Sequence, residues 1–219
     1  MGDPERNWDD IQRSIDTCSI CKCQSGVLFN EFQDSRGRPP KPPQKGCLFI
    51  SEAPTPRGGF WADPVDSLRK NLFEFLNLPE RESELREFTE NFSLIQTFKW
   101  PLRIDLSGLE PKRIRPLSEH TSKAHIMKEI MFMRPRAIMA LGSVAVSALS
   151  WLLADSATGE RFAKERIKSF KGEPLDAEID GRPIQVWATY LPAGQGTRNK
   201  KAIFPDIRGF SRSCSEQSS

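Results

Sequence analysis

Short apolar segments recur along the chain at the length of buried β-strands. Four of them are bounded by turn-forming residues, and they span 46–51, 92–98, 137–141 and 184–190. Runs of this kind are typical of strands covered on both faces of a parallel sheet. The last run follows the pair Asp180-Gly181, which suits the tight turn of a β-hairpin. We therefore predict a mainly parallel sheet of about four strands.

Amphipathic segments with helical periodicity separate these strands. We predict four helices, at 64–76, 80–90, 118–133 and 144–153. Asp63 is the expected N-cap of the first, with Pro64 at its first position, and Ser143 is the expected cap of the last. Alternation of strands and helices predicts an α/β three-layer sandwich, with helices on both faces of the sheet.

The composition of the chain predicts one folded unit with extended ends. Residues 1–45 form an N-terminal cysteine-containing segment that ends in a proline-rich linker, 46–210 form the α/β domain, and 211–219 form a serine-rich tail expected to be disordered. No apolar run of the length needed to span a bilayer occurs, and the first residues are polar. We therefore expect a cytoplasmic monomer without membrane contact.

The formal net charge of +3 is small, but basic residues are clustered. The clusters lie in segments with a loop-like pattern and comprise Lys112, Arg113 and Arg115, then Arg198, Lys200 and Lys201. Such clusters are typical of phosphate-contacting surfaces, although a solvated face gives the same pattern.

The five cysteines admit a different interpretation. A reducing cytoplasm argues against a disulfide framework, whereas the Cys18, Cys21 and Cys23 cluster allows a zinc site completed by Cys47 or Cys214. On that alternative the chain is a small zinc-bearing interaction protein.

Three loops follow predicted strands and are expected to meet. They are rich in glycine, proline or basic residues and span 52–61, 99–101 and 191–201. Because ligands bind at the carboxyl ends of strands in such sheets, these loops predict one common site.

The segments that carry these loops resemble the uracil-DNA glycosylase superfamily, in particular its bacterial and archaeal iron–sulfur branch, over residues 16 to 210. The resemblance is carried by Cys18 and Cys21, by Ser51-Glu52-Ala53-Pro54-Thr55 at the end of the first strand, and by 133–142. It implies a monofunctional glycosylase that removes uracil from DNA, with Glu52 as the catalytic carboxylate and Phe60 stacking on the extruded base.

The resemblance also assigns further contacts. The remaining base-binding residues are expected to be Ala53, Trp61 and Gln96. The DNA-binding residues are expected to be Arg57, Gly196, Thr197, Arg198, Lys200, Lys201, Lys112 and Arg113.

The chain departs from the family pattern at several positions. Leu191 replaces the third-loop histidine, and Gln96 stands where an asparagine reads the pyrimidine edge. Trp100 and Ser122 replace two cluster cysteines, so we expect neither an iron–sulfur cluster nor any other cofactor. His120 is expected at a helix start. The open alternatives are removal of hypoxanthine or xanthine, and a DNA-binding relative without turnover.

Overall fold

A computed structural model describes residues 8–23, 31, 33–78, 84–102, 111–170, 172–194 and 200–216. The strands are β1 (Cys47–Ser51), β2 (Phe92–Gln96), β3 (Ala137–Leu141), β4 (Leu175–Ile179) and β5 (Arg182–Thr189). The α-helices are α1 (Trp8–Asp16), α2 (Ser19–Cys23), α3 (Gly59–Ala62), α4 (Ser67–Leu76), α5 (Glu84–Asn91), α6 (Pro111–Thr121), α7 (Met127–Met133), α8 (Ser143–Leu152), α9 (Ala157–Lys164) and α10 (Lys200–Glu216). A π-helical turn, Ser122–Ile126, joins α6 to α7.

The strands form one mixed sheet in the order β2-β1-β3-β5-β4. The first four in this order are parallel, and β4 is added antiparallel at the edge. Its turn has Asp180 at φ 55° and Gly181 at φ 70°, the positive values that a primed hairpin turn requires. The sheet thus has five strands rather than about four, because the half-exposed β4 alternates in burial and lacks a continuous apolar run.

Helices cover both faces of this sheet. Phe49 of β1 belongs to a core with residues of α4, α5 and α10, whereas its neighbours Leu48 and Ile50 belong to a core with α7, α8 and α9. Successive side chains of a strand point to opposite faces, so one strand contributes to both cores. The prediction of an α/β fold with a mainly parallel sheet flanked by helices is confirmed.

Several predicted helix boundaries are corrected. The N-cap of α4 is Asp66, whose carboxylate accepts hydrogen bonds from two backbone amides of that helix, while Asp63 instead caps the turn before it. Helix α6 begins at Pro111, seven residues before the predicted start at Ser118. The basic run from Lys112 to Arg115 therefore lies on a helix rather than in a loop.

The C-terminal segment is also more ordered than predicted. Helix α10 continues to Glu216, and Phe210 and Cys214 are buried against the sheet. Cys214 forms a disulfide with Cys47 of β1. The expectation of a disordered tail is therefore wrong for 211–216, and the expectation that disulfides are absent is wrong as well.

The N-terminal segment packs directly on the α/β core. Trp8, Ile11 and Ile15 of α1 form a third apolar cluster that includes Trp100, which follows β2. The Trp8 ring lies 5.3 Å from that of Phe132 on α7, measured between centroids. Because α1 buries an apolar face of its own against α7, it is part of the folded unit. None of the described helices is long and apolar enough to cross a membrane.

Candidate functional site

A cavity of about 270 Å³ opens at the carboxyl ends of β1 and β2. Ser51 and Gln96 are paired as the last residues of these two strands, so the segments after them leave the sheet side by side. The cavity is lined by Glu52, Ala53, Pro54, Thr55, Pro56, Phe60, Asp66, Ser67, Leu68, Gln96, Leu102, Leu191 and Ala193. Its position is the one at which open α/β sheets bind ligands.

Glu52 is the first residue after β1 and provides a carboxylate at this cavity. Its carbonyl oxygen accepts a hydrogen bond of 2.8 Å from the amide of Phe98, which fixes its backbone to the segment after β2. The side chain is partly buried, and this burial raises the pKa of the carboxyl group. Glu52 has no cationic partner among the described residues, and a carboxylate perturbed by burial at a cavity is a candidate functional group.

The loop after Glu52 turns sharply toward α3 because two glycines follow each other. Gly58 has φ 90° and Gly59 has φ 62°, and a Cβ on Gly59 would lie 2.9 Å from the Cα of Pro54. Thr55 closes the turn, since its carbonyl and hydroxyl oxygens accept hydrogen bonds from the amides of Gly58 and Gly59. The turn places Phe60 at the cavity.

Phe60 borders the cavity but is anchored in the core. Only 1% of its surface is exposed, and its ring contacts those of Trp61, Phe73 and Phe88 at centroid distances of 4.9, 5.7 and 5.1 Å. Such edge-to-face and tilted contacts hold a ring in one orientation. Phe60 is therefore a rigid wall of the cavity rather than a mobile lid.

Trp61 does not line this cavity. Its indole N–H donates a hydrogen bond of 3.0 Å to the carbonyl oxygen of Leu94, and its ring borders a larger cavity of about 520 Å³ beside the N-terminal segment. That cavity includes Asp16 and Arg36, which already form a partly buried ion pair. The expectation that Trp61 contacts a base together with Phe60 is therefore corrected.

Gln96 supplies an amide to the cavity. The residue is only 5% exposed, and its side chain makes no hydrogen bond within the described ranges. A buried amide offers two donors and one acceptor, the groups that read the edge of a planar base. The structure thus brings the predicted residues Glu52, Ala53, Phe60 and Gln96 to one cavity.

The segment after β5 closes the remaining side. Leu191 and Ala193 line the cavity, and Asn71 of α4 donates a hydrogen bond of 2.7 Å to the carbonyl oxygen of Pro192. Leu191, the residue at which the resemblance expects a histidine, is thus part of the cavity wall. It supplies an apolar surface and no hydrogen-bond donor.

The predicted DNA-contacting residues are spread over the surface. Arg57 is exposed in the loop after β1, and Lys201 is exposed in the first turn of α10. Lys200 also belongs to α10 rather than to a loop, and its ammonium lies 3.1 Å from a carboxylate oxygen of Glu74. Gly196, Thr197 and Arg198 lie outside the described residues, as do the side chains of Lys112 and Arg113.

A second group of side chains with metal-binding donor atoms lies beside Trp100 and α1. Cys18, Cys21, His120 and His125 place one donor atom each within 4.8 Å of one another. His120 is in the last turn of α6, not at a helix start, and its Nε2 lies 3.3 Å from Sγ of Cys18. Burial and then the positive charge of Lys99 lower the pKa of His125 to about 3, so its imidazole is neutral.

The sequence interpretation missed both histidines as possible ligands. It also grouped the N-terminal cysteines with Cys47 or Cys214, which instead form a disulfide with each other. One sequence signal was available, because the chain has only two histidines and they are five residues apart.

The fold and the first cavity define an α/β protein with a small cavity at the carboxyl edge of a mainly parallel sheet. Neither protein-family models nor curated proteins give a match to this chain.

Proposed function

We propose that this chain is a DNA glycosylase that hydrolyses the N-glycosidic bond of uracil, or of another deaminated base, in DNA. One observation carries the proposal. The resemblance assigns Glu52, Phe60, Gln96 and Leu191 to one base pocket, and these residues, from three separate segments, line a single cavity. Any parallel sheet brings the loops after its strands together, so the support comes from the kinds of group that meet there: a carboxylate, an amide and an aromatic ring at one cavity.

The size and lining of the cavity suit one planar base. Its volume of about 270 Å³ is slightly below the range of about 300–1,000 Å³ usual for pockets that hold drug-sized ligands. An apolar wall from Phe60 and Leu191 faces a ligand together with the amide of Gln96 and the carboxylate of Glu52. Enzymes that act on a base extrude it from the helix into a pocket of this kind.

Glu52 is suited to stabilise the reaction's charge. Breaking the bond between C1′ and the base nitrogen leaves positive charge on the sugar and negative charge on the departing base. Glu52 faces the positive charge on the sugar and orients the water that adds to C1′. The amide N–H groups of Gln96 face the base oxygens, where the negative charge develops. The water's proton leaves through Glu52, and the base departs as an anion that solvent protonates.

Leu191 implies slower turnover than a pocket with a histidine at this position. Loss of a single donor to a developing oxyanion typically lowers kcat by about 10²–10³-fold rather than abolishing it. We therefore expect measurable release under single-turnover conditions with enzyme in excess.

The test is release of uracil, hypoxanthine and xanthine from labelled single-stranded and double-stranded oligonucleotides. Glu52→Gln keeps the shape and removes the charge, and it should lower the single-turnover rate by about 10²–10⁴-fold with little change in DNA affinity. Glu178→Gln is the matched control, because Glu178 is exposed on β4 at the far edge of the sheet.

Two outcomes separate the alternatives. DNA binding without release of any of the three bases identifies a binding protein that has lost turnover. Release that Glu52→Gln leaves unchanged retains the activity and removes Glu52 from its role.

A further inference from the structure

Two segments about a hundred residues apart in the chain converge beside Trp100. Cys18 immediately precedes α2, and Cys21 lies within it, so the two thiols are three residues apart and share one side of a helical turn. His120 and His125 come from the α6–α7 helical segment. No part of this cluster lines the proposed base cavity.

The π-helical turn explains how both histidines face the cysteines. In a regular α-helix, residues five apart differ in direction by about 140°, because each residue adds about 100°. The wider turn at Ser122–Ile126 follows an i to i+5 hydrogen-bond pattern and brings such residues closer to one side. The imidazole rings of His120 and His125 are accordingly 5.6 Å apart between centroids.

His125 is the least satisfied member of the cluster. The residue is 4% exposed, and neither ring nitrogen has a hydrogen-bond partner among the described residues. A buried polar group without a partner destabilises the fold, so the two ring nitrogens indicate a site for a ligand. Cys21, its neighbour in the cluster, is 2% exposed.

The spacing of the donor atoms fits one ion. Four ligands around a tetrahedral zinc are about 3.3–3.8 Å apart, as follows from bond lengths of about 2.0–2.3 Å. The Sγ of Cys18 and the Nε2 of His120 are 3.3 Å apart, and all four donor atoms lie within 4.8 Å of one another. Small side-chain rotations are enough to complete this geometry.

The same spacing does not fit a four-iron cluster. Each ligand of such a cluster binds a different iron at a corner of a cube, so its ligand atoms are farther apart than those of one ion. Two sulfur and two nitrogen donors in tetrahedral arrangement are typical of structural zinc. Two thiolates also balance the charge of the ion, which suits a buried site.

We propose that Cys18, Cys21, His120 and His125 bind a single zinc ion, which fastens the N-terminal segment to the α6–α7 helical segment. With four protein ligands the site is closed, so the ion has a structural role. The zinc site neither requires nor supports the glycosylase proposal, and its test does not use activity.

The experiment measures metal in the full chain purified without added metal. We expect one zinc ion per chain and neither iron nor acid-labile sulfide. Replacement of zinc by cobalt(II) should give the visible absorption of a tetrahedral site with sulfur-to-cobalt charge transfer. Chelation should lower the melting temperature, and added zinc should restore it.

Variants then test the ligand set. Cys18→Ser and His125→Gln should each reduce bound zinc and shift the cobalt spectrum. Cys23→Ser, which makes the same chemical change two residues after Cys21, should retain the ion. The assignment would be overturned by iron and sulfide in the wild-type protein or by failure of that protein to bind zinc or cobalt. It would also be overturned if Cys23→Ser lost the zinc.

Discussion

The ion pair between Lys99 and Glu129 gives the sharpest test of how this fold is held together. Its Nζ and Oε2 atoms are 2.7 Å apart, and the two side chains are only 5% and 1% exposed. Removing one partner of such a pair leaves a buried charge and costs about 3–5 kcal/mol. We expect Lys99→Met and Glu129→Leu each to destabilise the protein by this amount, or by about 6–20 °C in melting temperature for a chain of this length.

The double variant should recover most of the loss. With both charges removed, neither partner is left as an unpaired buried charge, so the two single effects should not add. Urea unfolding of the four proteins in this cycle measures the coupling free energy. Burial lowers the pKa of Lys99 and Glu129 opposes that effect, so the cost of Glu129→Leu should shrink as rising pH removes the ammonium proton.

A surface pair provides the control. Lys164 and Glu160 are 2.8 Å apart, a similar distance, but their side chains are 73% and 65% exposed. Lys164→Met should therefore cost no more than about 0.5 kcal/mol. Two results would refute strong coupling within the buried pair. One is a cost below about 1 kcal/mol for both buried single variants. The other is a double variant whose loss of stability equals the sum of the two single losses.

Three further predictions concern stability. Burial raises the pKa of Glu52, so the stability that its protonated form provides is present below the ordinary glutamate pKa and is lost as pH rises through the raised value. Glu52→Gln should therefore melt higher than wild type near neutral pH, and the difference in melting temperature should vanish below pH 4.5. Asp66→Ala removes the cap of α4 and should cost about 1 kcal/mol in urea unfolding, whereas Asp63→Ala should cost less. Reduction of the Cys47–Cys214 disulfide should lower the free energy of unfolding by about 2–5 kcal/mol, and replacing both cysteines by serine should make stability insensitive to reductant.

Local pattern was sufficient for the four parallel strands of the sheet. The limits of β3 agree with the predicted 137–141, because a continuous apolar run between a proline and a glycine has few other stable arrangements. The hairpin at Asp180-Gly181 could be predicted from the sequence equally well, since both residues tolerate positive φ. The order of the loops along the chain then placed Glu52 at the carboxyl end of a strand.

Local pattern did not decide which side chains reach the cavity. Phe60 and Trp61 are adjacent and aromatic, yet one borders the cavity and the other donates its N–H to the backbone of β2. The N-cap of α4 was misplaced because Asp63 and Asp66 are equally good caps by residue type. Only the path of the chain after α3 determines which carboxylate meets free amides.

The sequence by itself determined the elements and the residue types available for chemistry. Tertiary structure decided which distant residues meet, and the cysteines show this most clearly: Cys47 pairs with Cys214 across 167 residues, and Cys18 and Cys21 meet His120 and His125. Periodicity acts over a few residues, whereas these contacts depend on packing of helices against opposite faces of the sheet. The physical cause is therefore the burial of apolar surface over the whole chain, which brings together groups that no local pattern relates.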